Sequence, residues 1–338
     1  MKAMVLRGPG ELALDDVALP RLGAGQVLVR VTHSGVCGTD LKIFNGQIPV
    51  RYPLIMGHEM IGVVVEGASN DGIRTGDRVV IDPFFNCGIC FHCRVGQTSL
   101  CPNGVLAGRD VNGGFAEYCA APASHVFRLP DSIDNRTAAL LQVMTTCLHA
   151  QRLAKPALDE SVVVLGLGVT GQLHVQLAKA AGAHPVIGVS RSSFKNELAR
   201  KLGADSTLLA GQDVADKILE TTHGRGADLI IETTGMIASL PDAIRMVRAG
   251  GRILMFGIIT AKQGALPFYQ LYFKELVLIN ARAAKGEDFQ SSIDLVDRGT
   301  VHLKPLITHV TPLEELKTAI GMLDSNVDDR LKIVMDHT

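Results

Sequence analysis

Two groups of side chains early in the chain have the chemistry to bind a cation. The first opens with Gly35-Val36-Cys37-Gly38-Thr39-Asp40 and closes with Gly57-His58-Glu59. A thiol, a hydroxyl, an imidazole and two carboxylates thus fall in two short runs. Thiolate, imidazole and carboxylate are the ligands zinc prefers, and a catalytic zinc takes three protein ligands and leaves one position open. The second group is Cys87-Gly88-Ile89-Cys90-Phe91-His92-Cys93, followed by Cys101-Pro102. Four thiolates at this spacing close a tetrahedron around one Zn²⁺; with no open position, such a site is structural and fastens a lobe, residues 87–101, that has little core of its own. Taken singly, Cys37 reads as a small buried residue and His58 as a satisfied core histidine. Their company in the chain is what argues for chemistry. Cys119 and Cys147 have no Cys, His or acidic neighbour at ligand spacing and are assigned to packing.

A third motif has a different use. Ser161-Val162-Val163-Val164-Leu165 reads as a buried parallel strand, and it runs into Gly166-Leu167-Gly168-Val169-Thr170-Gly171 and an amphipathic segment from Gln172 to Ala181. A Gly-x-Gly-x-x-Gly between a strand and a helix is the dinucleotide fingerprint in its expected context. Gly166 allows the tight turn, Gly168 lets a pyrophosphate approach the backbone and Gly171 lets helix and strand pack closely, while the helix N-terminus at Val169 supplies partial positive charge. The next strand, Pro185 to Val189, ends at Ser190-Arg191-Ser192. An NAD-binding unit normally carries a carboxylate here for the adenosine ribose 2′-hydroxyl. Ser190, Arg191 and Lys195 stand there instead and suit a 2′-phosphate, so NADP(H) is favoured over NAD(H). Gly235 and Gly257 follow two further strands, at the carboxyl ends where open parallel sheets bind ligands.

The elements that must position these residues divide into two patterns. From Met1 to about Ala150, short β-branched runs (27–31, 61–65, 78–81) alternate with Gly, Pro and Asp turns, which reads as a compact β-rich domain. A helical pattern follows from about residue 137 toward Leu148, and Pro156 with Asp159-Glu160-Ser161 marks a boundary. Strands and helices then alternate, with a helix expected over Ile237 to Arg248, strands at 252–256 and 276–280, and a closing helix from about Pro312 to Leu323 before a strand at 331–335.

Composition narrows the function. With 33 Lys and Arg against 34 Asp and Glu, the chain has no positive excess to hold a polyanion, so nucleic acid is excluded as the principal partner. Apolar residues make up 47%, yet no uninterrupted run approaches the roughly 18 residues of a membrane span, and the N-terminus breaks at Gly8-Pro9 before it could serve as a secretory signal. Seven cysteines, four of them crowded together, point to metal in a reducing compartment. The expectation is a cytoplasmic protein with no membrane partner.

With both metal groups and the glycine fingerprint in hand, the chain resembles the zinc-dependent medium-chain alcohol and polyol dehydrogenases over nearly all of its 338 residues. The resemblance implies an α/β protein, with a GroES-like catalytic domain (1–150, closed by 285–338) and a doubly wound Rossmann domain (151–284). It implies that Cys37 and His58 hold a catalytic zinc, with Glu59 a direct or alternating ligand, that Asp40 orients His58, and that Thr39 relays the alcohol proton. The family's remaining ligand, a Cys or Glu, falls at Gln142. An amide oxygen is neutral and weaker, so either Glu59 holds the metal instead or zinc affinity is reduced. Lys42 stands where some members end the proton relay with histidine. Phe44, Phe84, Phe85 and Arg109 either line the substrate pocket or belong to core and surface. The implied reaction is hydride transfer between a small alcohol or polyol, or the matching carbonyl, and NADP(H) or NAD(H), by a homodimer or homotetramer whose sheets join at the strand near 276–280. The alternatives are a zinc-independent reductase and a non-catalytic protein on the same fold.

Overall fold

The β-branched runs become strands of separate sheets in two units of a computed structural model that describes residues 1–67, 72–324 and 329–338. Unit 1 comprises Met1–Thr145, Ala283–Arg298 and Leu303–Thr338; unit 2 comprises Thr146–Arg282 and Gly299–His302.

In unit 1 the main sheet runs Val126–Arg128, Arg78–Ile81, Glu59–Glu66, Gln26–Gly35, Lys332–Asp336, Ile307–Pro312, and Tyr118–Pro122 also pairs with Gln26–Gly35. All pairs are antiparallel except the last, where Ile307–Pro312 and Lys332–Asp336 run parallel. Gly35 therefore sits opposite Glu59 on one side and Val334 on the other. A Cβ at Gly35 would lie 2.1 Å from Glu59 Oε2 and 2.6 Å from Lys332 Cε, so the missing side chain is what lets these two groups meet. One core gathers Leu6, Ile43, Met56, Phe115, Leu316 and Met335; a second gathers Val29, Met60, Val64, Val79, Ile81 and Cys119. A hairpin of Lys2–Gly8 and Glu11–Asp16, which the sequence pattern did not announce, edges the first of these.

Unit 2 is a six-stranded sheet, parallel throughout, in the order Ser206–Leu209, Val186–Ser190, Val162–Leu165, Ala227–Glu232, Val247–Met255, Val277–Asn280. Numbered within the unit, this is 3-2-1-4-5-6, the doubly wound order that binds dinucleotides outside the carboxyl end of its first strand. Val162, Val164, Leu229, Ile231 and Leu254 pack on one face and Val163, Leu165, Ile187, Ile230 and Ile253 on the other, which is why these strands are continuous apolar runs.

The helix expected over Ile237 to Arg248 is shorter than its pattern. A 3₁₀ turn at Ile237–Ser239 leads into helix Leu240–Met246, and the strand begins at once with Val247. The Lys274 ammonium takes the carbonyls of Ile244 (2.8 Å), Arg245 (3.1 Å) and Val247 (2.8 Å), which satisfies the helix end and lets the chain leave it early. Likewise Ile307–Pro312 is a strand, and the helix that follows spans Leu316–Asp324 after one 3₁₀ turn.

Candidate active site

Cys37 ends the strand-to-helix turn of unit 1 as the cap of helix Gly38–Phe44, and Asp40, fully buried in its first turn, accepts a hydrogen bond from the Cys37 N–H at 2.8 Å. The other Asp40 oxygen lies 3.3 Å from His58 Nδ1, which fixes the imidazole so that Nε2 is the nitrogen left free. Glu59, 1% exposed, forms an ion pair with Lys332, 3% exposed, from the C-terminal strand. One ligand atom from each of Cys37, His58 and Glu59 lies within 4.8 Å of the others. Apart from the two ion pairs, both Glu59 oxygens, Asp40 Oδ1 and His58 Nδ1 have no hydrogen-bond partner among the described residues. Burial alone would lower the His58 pKa, but the Asp40 and Cys37 side chains outweigh it and hold it well above the ordinary histidine value. Groups that draw a proton to an imidazole in this way also favour a cation, which competes with that proton. A converging sulfur, nitrogen and carboxylate oxygen with unclaimed lone pairs fits zinc.

Thr39 is half-buried in the first turn after Cys37, and Lys42 follows on the same helix. Gln142 is the second residue of helix Leu141–Ala154 and half-buried. Of the other pocket candidates, Phe84 is buried, Phe44 and Phe85 pack against the two cores, and Arg109 makes two bonds to Asp110, at 2.9 and 2.6 Å. A cavity of about 520 Å³ in unit 1, lined by residues such as Arg21, Gln26, Phe85, Asn112 and Tyr118, contains none of Cys37, His58 and Glu59.

Lys332 escaped the sequence reading. Its one signal is a charge inside the run Leu331-Lys332-Ile333-Val334-Met335, where the neighbours are all buried.

The four thiols of the lobe also converge within 4.8 Å. Cys90 and Cys93 sulfurs are 3.5 Å apart, Cys90 and Cys101 3.8 Å, and Cys101 and Cys87 3.5 Å. Backbone N–H groups of Ile89 and Cys90 draw the Cys87 pKa down to about 6, whereas burial and then the neighbouring thiols push Cys93 up to about 12. Four thiols this close cannot all ionise without a cation among them, and a tetrahedral sulfur set suits zinc. Cys119 is buried in the second core of unit 1, and Cys147 is buried in unit 2.

In unit 2 the glycines do separate work. Gly166 adopts φ +91°, and a Cβ there would meet Thr233 Oγ1 at 2.7 Å. A Cβ at Gly171 would lie 1.9 Å from the Gly166 carbonyl oxygen, so helix and strand could not approach. At Gly168, which caps helix Val169–Ala180, nothing lies within 4 Å, leaving the backbone open to a ligand. Ser190 ends its strand, Arg191 is exposed, Ser192 caps helix Ser193–Lys201 by accepting from Lys195 N at 3.3 Å, and Lys195 is half-buried. Gly235 (φ +67°) and Gly257 meet across neighbouring strand ends, where a Cβ on Gly257 would lie 2.1 Å from Gly235 N.

The chain is similar to known proteins. Residues 23–131 match the alcohol dehydrogenase GroES-like domain, and residues 169–298 match the zinc-binding dehydrogenase domain. L-threonine 3-dehydrogenase of Pyrococcus horikoshii is 34% identical over 323 residues, covering 91% of each chain. Sorbitol dehydrogenase of Halalkalibacterium halodurans is 30% identical over 343 residues, covering 99% of each. Among solved structures, one described as a zinc-binding dehydrogenase of Sinorhizobium meliloti bound to NADP aligns over 99% of both chains with a TM-score of 0.92 and 29% identity.

Proposed function

Since the chain belongs to the zinc-binding alcohol dehydrogenase family and is a nicotinamide-dependent oxidoreductase of alcohols or polyols, we propose that unit 1 is its catalytic domain, with Cys37, His58 and Glu59 holding the catalytic zinc, and that unit 2 binds NADP(H). The observation that carries this is the convergence of three ligand atoms within 4.8 Å, with Glu59 Oε1 buried and without a hydrogen-bond partner among the described residues. Cys87, Cys90, Cys93 and Cys101 hold the structural zinc.

Zinc, when bound, supplies a Lewis acid that lowers the pKa of a substrate hydroxyl, and the nicotinamide supplies the hydride chemistry. The chain's own residues do the rest. Asp40 holds the His58 ring with Nε2 presented to the metal. Thr39, half-buried beside Cys37, would relay the substrate proton by releasing its own hydroxyl proton to solvent as it accepts the substrate's. Lys332 balances Glu59 while that carboxylate also serves the metal. In unit 2 the open backbone at Gly168 and the start of helix Val169–Ala180 receive the pyrophosphate, with Gly235 and Gly257 lining the same sheet edge. Ser190, Arg191 and Lys195 receive the 2′-phosphate, and no acidic side chain stands from 190 to 195 to repel it.

The substrate we favour is a small polyol or secondary alcohol. Among the described residues strand Val277–Asn280 has a partner on one side only, and Phe268, Tyr269, Tyr272 and Phe273 on the short helix before it are each at least 68% exposed. We infer that a second copy pairs with this edge; a monomer in sedimentation analysis would exclude it. Among the described residues no helix is long and apolar enough to cross a membrane. The cytoplasm is the location we favour, because no cysteine among the described residues is in a disulfide.

Elemental analysis with turnover measurements tests the proposal. Native protein should carry two zinc ions per chain and His58→Ala one, with turnover lowered about a thousandfold or more and cofactor binding kept. Unchanged turnover in His58→Ala would refute the assignment.

A further inference from the structure

Two buried carboxamides link the segments of unit 2 that meet the two phosphate groups of a dinucleotide. Gln172 lies in the first turn of helix Val169–Ala180 and is 0% exposed. Its Nε2 donates to the Leu167 carbonyl at 3.2 Å and to the Lys195 carbonyl at 2.8 Å. Leu167 stands between Gly166 and Gly168, and Lys195 stands in the first turn of helix Ser193–Lys201. Both Nε2 hydrogens are thus spent joining the glycine loop to the segment after the second strand. Asn196, 4% exposed, extends the link, donating to the Ser190 carbonyl at 3.3 Å and the Leu208 carbonyl at 3.2 Å. Within the segment itself, Ser190 Oγ accepts from Ser192 N at 3.2 Å.

The acceptor ends of these amides tell the same story. Gln172 Oε1 and Asn196 Oδ1 are buried and have no hydrogen-bond partner among the described residues. An unpartnered buried oxygen is unfavourable, and an apolar side chain of equal length would avoid it. The carboxamide is therefore held for what its donor end does, which is to fix one loop against the other.

We propose that Gln172 is a positioning residue for cofactor choice: it sets the spacing between the glycine loop and the Ser190–Lys195 segment, so that pyrophosphate and 2′-phosphate of one NADP(H) are met together. The proposal rests on the reading of Ser190, Arg191 and Lys195 as the 2′-phosphate site. Two anchoring points on one ligand contribute together only when their separation is preset; otherwise the ordering cost falls on binding. NAD(H) has no 2′-phosphate for the Ser190–Lys195 segment to hold, so its binding is less sensitive to that spacing.

The chain has no tryptophan, so binding is best followed by the fluorescence of the reduced nicotinamide. NADPH and NADH are titrated separately into the full-length wild type and Gln172→Met, which keeps the length of the side chain and removes both donors. The wild type should prefer NADPH. The variant should lose about tenfold in NADPH affinity and no more than about threefold in NADH affinity, narrowing the ratio. A role in packing alone would lower the melting temperature and weaken both cofactors in parallel; an unchanged ratio overturns the proposal. If Gln172→Met does not fold, Gln172→Asn, whose amide falls one methylene short of both carbonyls, must narrow the ratio in its place, and failure to do so overturns the proposal equally. Equal binding of both cofactors by the wild type overturns the cofactor reading itself, and the proposal with it.

Discussion

The two clusters of candidate metal ligands in unit 1 are built in opposite ways. The four thiols of the lobe come from one segment, 87–101, folded by its own short turns, whose basic side chains are His92 and Arg94. The Cys37, His58 and Glu59 cluster is assembled from two strand ends and a helix cap, and the fold provides a cation of its own, Lys332, from the far end of the chain. On the proposed reading, the lobe depends on its metal for structure, whereas the assembled cluster has its shape from the sheet and depends on metal for chemistry.

Removing one ligand from each cluster tests this contrast most strongly. Cys37→Ser should lower turnover about a thousandfold, remove one zinc per chain and melt close to the wild type. Cys101→Ser should also remove one zinc but lower the melting temperature by about 10 °C, because the lobe loses what holds it together. Equal melting shifts in calorimetry would erase the distinction between the two.

A second test concerns the built-in cation. Lys332→Met leaves the Glu59 carboxylate buried without its partner, which should destabilise chelator-treated protein by about 3–5 kcal/mol in urea unfolding. Zinc-loaded protein should lose less, since the metal then stands in for the missing positive charge. The same loss with and without zinc would mean that Glu59 does not face the metal.

The smallest effect lies beneath the lobe. His125 Nε2 accepts from the Asn86 backbone N–H at 3.2 Å and contacts the Asn86 amide at 2.9 Å, and the Asn86 side-chain oxygen accepts from Cys93 Sγ at 3.6 Å. Burial pushes the His125 pKa down to about 4 from 6.5. The unfolded chain then binds more protons between those values, so this contribution to stability is complete above about pH 6.5 and is lost as the pH falls toward 4. At pH 5 the loss should be about 2 kcal/mol, and His125→Gln should flatten the profile by that amount. An unaltered pH profile in the variant would show that His125 titrates normally.

These differences also explain what the sequence made legible. The lobe could be read because all four ligands fall within one short segment, and the glycine fingerprint because Gly166 needs a positive φ and Gly171 packs on the Gly166 carbonyl within the same turn. Cys37, His58 and Glu59 were readable as ligand types, but their convergence depends on the register of Gly35 against Glu59. Lys332 was not readable, because its partner is set by sheet order and not by spacing along the chain. The end of the helix expected to reach Arg248 was misjudged for a related reason: the lysine that closes it, Lys274, belongs to a later segment. Where a local rule decides the outcome, sequence suffices; where a distant side chain does, it does not.

The position of Lys332 affects how the protein comes into being. Glu59 emerges from the ribosome early, whereas its counter-ion follows only after the whole of the parallel sheet has been made. Until strand Lys332–Asp336 docks beside Gln26–Gly35, the carboxylate must stay solvated or take up a proton, and that edge of the sheet stays unpaired. Translation products that stop short of the final strand are therefore incomplete in charge as well as in fold, which makes them natural clients for chaperones and proteases.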